Sequence, residues 1–206
     1  MKLFNLARKA VRRSWMNYAL RGVGGADNHA RLELAYRIGD PWNMESDLER
    51  FRFERTNAII QRQWPGGLGS ILELGCGEGH QSAYLQRCCT DLYGIDVSAT
   101  AVERAGRRLP QARFAAGDIF AQPWGGDAGR FDLVVACEVL YYITDIQRTI
   151  EAMNHLGKAC LVTMFAPAIR RVGPHVEAMP GLGKDWFGNA GAQWVVAWWP
   201  STQRQP

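Results

Sequence analysis

From residue 69 the chain alternates short apolar runs with longer amphipathic segments, and nothing else in it limits the fold as strongly. "SILELG" reads as a strand and "GHQSAYLQRC" as a helix, and "DLYGID" with "SATAVERAGRRL" repeats the pair. "ARFAAGD" is a third strand, "FDLVVACEVL" a fourth, "DIQRTIEAMNHL" a helix and "KACLVTMF" a fifth strand. Strands and helices alternating at this spacing predict an α/β fold with a doubly wound, mostly parallel sheet covered on both faces. In that class ligands bind at the carboxyl ends of the strands. Further on, "QWVVAWW" is expected as a strand near the sheet edge. Pro167 to Lys184 is too rich in Gly and Pro for an assignment, so either one or two strands follow Phe165.

Upstream, Ser46 and Glu49 have the spacing of a capping box, Leu48, Phe51, Ala58 and Ile59 supply apolar helical positions, and Pro65, Gly66 and Gly67 end the helix. The first 22 residues carry Lys2, Arg8, Lys9, Arg12, Arg13 and Arg21 and no acid. Phe4, Ala7, Val11, Trp15 and Tyr18 recur there at near-helical spacing. Residues 1–25 are therefore expected to form a basic amphipathic arm. It either packs on the domain with its basic side in solvent, or touches an anionic membrane surface or an acidic partner. "RGVGGADN" looks like a flexible link, and residues 26–206 form one domain by length.

Five cysteines (Cys76, Cys88, Cys89, Cys137, Cys160) contain no CxxC pair, which favours a reducing cytoplasm. His29, His80, His155 and His175 lack ligand spacing, so no metal is expected. No run approaches the roughly 20 apolar residues of a membrane span, and the basic N-terminus lacks the apolar run of a signal peptide.

A strand feeding a glycine turn and then a helix offers free backbone N–H groups and a positive helix end to a ligand. In "ILELGCGEGH", Gly75 and Gly77 are followed by Gly79 rather than by the GxGxxG spacing of a dinucleotide site, and no Gly-Lys-Ser or Gly-Lys-Thr follows. Glu73, two residues before the turn, would repel a pyrophosphate and attract a cationic amino group. About twenty residues further, Asp96 ends the second strand, where an acid can accept hydrogen bonds from ribose hydroxyls. Asp118 ends the third strand, placed for an exocyclic amine, and Val97 and Ile119 follow the two acids and can sandwich a base.

With "ELGCGEG", "GIDVS", "GDIF" and "FDLVVACEVLYYI" in this order, residues 69 to 165 resemble the class I S-adenosylmethionine-dependent methyltransferases. The resemblance implies S-adenosyl-L-methionine as cofactor. Glu73, Gly75, Cys76 and Gly77 would hold its methionine end, Asp96 its ribose, and Asp118 with Ile119 its adenine, with Val97 also on the base. A narrower resemblance, carried by "DPWNMESDLERFRFER" and "CEVLYYI", is to the nodulation protein S family, whose members N-methylate an amino sugar on a chitooligosaccharide. It implies a small-molecule acceptor, an amino sugar or oligosaccharide.

Asp40-Pro41-Trp42 is not read as the motif of nucleic-acid amino-methyltransferases, because "ELAYRIG" before it is no strand, and no nucleic acid is expected. Glu138, Tyr141 and Tyr142, at the end of the fourth strand, are the candidate catalytic residues, with Trp42 and His175 as weaker ones. Thr144 with Gln147 has capping-box spacing for the next helix. Two competing functions stay open on sequence: O-methylation of a natural-product hydroxyl or carboxyl, and non-catalytic cofactor binding in an assembly protein.

Overall fold

The structure, a computed structural model, describes residues 2–21, 28–127 and 130–201, with side chains from residue 11 onward. Three helices come first: α1 (Lys2–Ala19), α2 (His29–Ala35) and α3 (Asp47–Gln63). The alternating part follows as β1 (Leu68–Leu74), α4 (Ser82–Leu85), β2 (Cys89–Asp96), α5 (Ala99–Arg108), β3 (Arg113–Ala116), β4 (Leu133–Cys137), α6 (Ile146–Leu156) and β5 (Ala159–Phe165). The tail supplies α7 (Ile169–Glu177), β6 (Gly183–Asn189) and β7 (Ala192–Pro200), so two strands follow Phe165.

All seven strands form one sheet in the order β3-β2-β1-β4-β5-β7-β6. β1 to β5 run parallel to one another, and β7 inserts antiparallel between β5 and β6. The strand beside the edge is therefore "QWVVAWW", and β6 is the edge itself. Side-chain alternation divides the interior. Leu72, Val134 and Val162 point to the face covered by α6 and α7, whereas Ile71, Leu133, Leu161 and Val196 point to the face covered by α3 and α4. Truncating a central residue such as Leu161 to Ala should cost about 2–5 kcal/mol, from lost transfer energy plus the cavity left behind.

Several local expectations need correction. The helix after the glycine turn is four residues long, followed by a 3-10 turn at Gln86–Cys88. The N-cap of α6 is Asp145, whose side chain accepts from Arg148 N at 3.0 Å, and not Thr144. In α3, Ser46 does cap, accepting from Glu49 N at 3.3 Å, but Ala58 is exposed. The buried side of that helix is half polar, carrying Arg52, Thr56 and Asn57 beside Phe53, Ile59 and Ile60. Thr56 Oγ1 donates to Arg52 O at 2.9 Å and Asn57 Nδ2 to Tyr84 O at 2.6 Å.

The arm is a helix packed on α2. Trp15 Nε1 donates to Ala35 O at 3.2 Å, Arg31 donates to Tyr18 O at 3.3 Å, and Ala19 is buried. Val11 and Tyr18 remain exposed. Most of the glycine link, residues 22–27, lies outside the described residues. None of the described helices is long and apolar enough to cross a membrane.

Candidate active site

The strand order reverses between β1 and β4, and at the carboxyl ends of β1, β2 and β4 a cavity of about 380 Å³ opens. Its wall brings together Glu73, Gly75, Cys76, Gly77, Asp96, Val97, Asp118 and Ile119, and also Glu138, Tyr141 and Tyr142. His175 is elsewhere: it sits on α7 with Nδ1 3.4 Å from Gln147 Oε1, which removes it as a base.

The turn after β1 needs its glycines. Gly75, Gly77 and Gly79 have φ of 66°, 53° and 77°, a left-handed region that costs glycine nothing. A Cβ on Gly75 would stand 2.5 Å from Val139 Cγ2, and one on Gly77 would stand 2.8 Å from the Tyr36 hydroxyl. The bare backbone thus lets β4's loop and α2 close over the turn. Cys76 forms buried wall, and burial pushes its thiol well up, so it stays neutral.

Asp96 braces this turn as well as facing the cavity. Its Oδ2 accepts from Gly77 N and its Oδ1 from Ser98 N, both at 2.9 Å. Burial raises its pKa to about 6 against the lowering effect of these bonds. Glu73 is 2% exposed and accepts a hydrogen bond from Ser82 Oγ. Burial lifts its pKa to about 8, with Ser82 and Arg52 opposing. Asp118 caps the 3-10 turn Ile119–Ala121, its Oδ1 accepting from Phe120 N at 2.9 Å and Ala121 N at 3.1 Å.

On the β4 side, Glu138 has φ 60°, a conformation disfavoured for a residue with a Cβ. Its carboxylate accepts from Thr163 Oγ1 at 2.9 Å, Phe165 N at 3.1 Å and the Tyr141 hydroxyl at 3.2 Å. Burial raises its pKa, outweighing Arg52 and these bonds. The Trp42 indole donates to the Tyr142 hydroxyl at 3.3 Å and packs on the Tyr36 ring at 4.9 Å between centroids.

Sequence reasoning missed the hub that fixes Trp42. Glu78 Oε2 accepts from Asp40 N at 2.9 Å, and Glu78 Oε1 from Arg104 at 2.5 Å. The same arginine reaches Ile38 O at 3.1 Å. Burial opposes ionisation of Glu78, but His80, Arg104 and the Asp40 backbone outweigh it and hold its pKa below the ordinary value. Donor atoms of Asp40, Glu78 and His80 approach within 4.8 Å of one another. Arg104 pairs with Glu78, and Arg108 lies 3.1 Å from His80 Nε2, so guanidinium charge already occupies this cluster. Asp40 itself, at φ 48°, accepts from Met44 N and Glu45 N in a turn that no strand precedes. Arg52 and Gln81, also on the cavity wall, were equally unforeseen in that role.

Residues 71–159 match the family model of a methyltransferase domain. The chain is 29% identical over 172 residues to nodulation protein S of Bradyrhizobium diazoefficiens, covering 83% of this chain and 78% of that one. It is 27% identical over 190 residues to nodulation protein S of Sinorhizobium fredii, covering 92% and 84%. Among solved structures, the N-methyltransferase NodS from Bradyrhizobium japonicum WM9, in complex with S-adenosyl-L-homocysteine, aligns with a TM-score of 0.68 and 24% identity, covering 86% of this chain and 100% of that one. That last likeness bears on the fold. With this sheet order and glycine turn, residues 71–159 form a methyltransferase domain that takes S-adenosylmethionine, in a chain similar to nodulation protein S over most of its length.

Proposed function

We propose that this enzyme methylates the nitrogen of a small polar amine, an amino sugar or an oligosaccharide bearing one. The observation that carries the reading is Glu138, a partly buried carboxylate held by three donors at the end of β4, beside Tyr141, Tyr142 and Trp42 on one cavity wall. The N-methyltransferase NodS, whose fold this chain shares, supports it.

The donor set suits the cofactor. Glu73 would take its ammonium, the Gly75–Gly77 backbone its methionine chain, Asp96 its ribose, and Asp118 with Val97 and Ile119 its adenine. Bound S-adenosylmethionine supplies a methyl on a sulfonium, already activated for in-line displacement. The chain then has to align the acceptor, exclude water and manage one proton. An amine attacks only when neutral, and a carboxylate of raised pKa accepts a hydrogen bond from its N–H and favours the cation that forms. Aromatic faces at Trp42 and Tyr142 suit the apolar face of a sugar ring and a cationic product. The same carboxylate repels an acceptor carboxyl, which disfavours O-methylation there.

We assign residues 1–25 as the basic arm and 26–206 as the catalytic domain. We place the protein in the cytoplasm on the strength of its five free thiols.

The test is transfer of labelled methyl to free amino sugars and to their N-acetylated forms, with Glu138→Gln in parallel. Label should appear on the free amine, and the variant should lose roughly a hundredfold in kcat while binding S-adenosylhomocysteine normally. Label on the acetylated form alone would sink the assignment.

A further inference from the structure

Thr163 carries the one hydroxyl in β5, "ACLVTMF", and is 2% exposed. By strand alternation it shares the α3 side of the sheet with Leu161. A buried parallel strand normally carries aliphatic side chains at such a position, and burying a hydroxyl is costly unless it is bonded. The bonding partner is Glu138.

The two residues meet twice. Beside the register pair Cys137 and Thr163, Glu138 N donates to Thr163 O at 3.2 Å, and the Thr163 hydroxyl donates to Glu138 Oε1 at 2.9 Å. The other two donors to this carboxylate, the Tyr141 hydroxyl at 3.2 Å and Phe165 N at 3.1 Å, both end on Oε2. Two bonds to one oxygen leave a carboxylate able to pivot about that oxygen. The bond from Thr163 to the second oxygen removes the pivot.

Given the reading of Glu138 above, on which this rests, we propose that Thr163 is the positioning residue of the catalytic carboxylate: its hydroxyl fixes the carboxylate plane and stabilises the ionised form toward the acceptor nitrogen. Productive geometry at such a group is narrow, so a pivoting carboxylate spends much of its time out of reach of the proton it manages. The charged and titratable groups that face Glu138 are Arg52 and Glu49 from α3, Tyr141 and Tyr142 from the turn after β4, and Cys137 at the end of β4. Burial raises the Glu138 pKa, and Arg52, Thr163 and Tyr141 oppose it.

The test compares Thr163→Val, which keeps the volume and removes the hydroxyl, with Thr163→Ser, which keeps the hydroxyl and removes the methyl. Ionisation of Glu138 is followed by nuclear magnetic resonance of isotope-labelled glutamate carboxyls in the S-adenosylhomocysteine complex, and Glu138→Gln identifies its signal. Methyl transfer to glucosamine is timed on the same proteins. Thr163→Val should make Glu138 titrate at higher pH than in the wild type, because a donor to the ionised form is gone. It should also lower kcat at neutral pH about tenfold, the size of one bond to a charged group, with S-adenosylhomocysteine affinity unchanged. Thr163→Ser should restore both. A packing role predicts the reverse order, with Thr163→Val like the wild type and Thr163→Ser impaired. That result, or a Glu138 signal unmoved by Thr163→Val, overturns the proposal while leaving Glu138 in its role. Glu138→Gln transferring methyl at the wild-type rate overturns the role of Glu138 itself.

Discussion

Glu73 gives the sharpest quantitative test. Its pKa of about 8 in the ligand-free protein means that the carboxylate is mostly protonated at neutral pH. A cationic ammonium needs the ionised form, so binding must release a proton whenever the solution lies below that value. For a single such group the apparent dissociation constant scales with the protonated excess, giving roughly fiftyfold weaker binding at pH 6 than at pH 8, on the order of 2 kcal/mol. Stability carries the matching signature. The folded-state pKa lies above the ordinary 4.5, so the ligand-free protein is favoured with Glu73 neutral; this contribution is complete below about pH 4.5 and fades as the pH rises through about 8. Calorimetry of S-adenosylhomocysteine binding in buffers of different ionisation enthalpy measures both affinity and protons released. Glu73→Gln should bind more weakly at pH 8 and lose most of the slope between pH 6 and 8. A wild-type profile flat across that interval, or an identical slope in the variant, refutes the reasoning.

Three further outcomes follow from the geometry. Asp96→Ala should weaken S-adenosylhomocysteine binding by about 1.5–3 kcal/mol, because charge-assisted bonds to ribose and the brace on Gly77 are lost together; unchanged affinity on titration would remove Asp96 from the site. Glu78→Ala leaves Arg104 and the Asp40 N–H without their partner and should destabilise the protein by roughly 3 kcal/mol in urea unfolding, as for other broken buried pairs; a loss below about 0.5 kcal/mol, the usual surface value, would show the hub to be dispensable. Vesicles containing anionic lipid should sediment the wild type at low salt and release it when Arg12 and Arg13 become Glu, if the exposed Val11–Tyr18 side of α1 meets lipid. Equal sedimentation of the two proteins would leave α1 a packing helix only.

The parts of the site that sequence reveals are those built locally. Glu73, the glycines, Asp96 and Asp118 each stand where a strand meets its turn, so their placement follows from the strand pattern and the parallel sheet alone. Arg52, Gln81 and Glu78 could not be read in this way. Their environment is made by α3 and the Asp40 turn folding back over the glycine loop, and a charged residue on an isolated helix looks solvated. The same competition explains the local errors. Burial of Val172 and Val176 keeps α7 helical through Pro174, and Asp145 takes the α6 cap one residue beyond Thr144. Helix α3 buries Thr56 and Asn57 because backbone carbonyls receive them.

The latch between Glu78, Arg104 and the turn before α3 has an evolutionary side. Both of its contacts to that turn end on main-chain atoms, the Asp40 N–H and the Ile38 carbonyl. Main-chain atoms persist whatever side chains the turn carries. Trp42 and Met44, which face the cavity from this turn, are therefore free to vary without releasing it. New acceptors can be explored by substitution in a strap whose attachment to Glu78 and Arg104 does not depend on its own side chains.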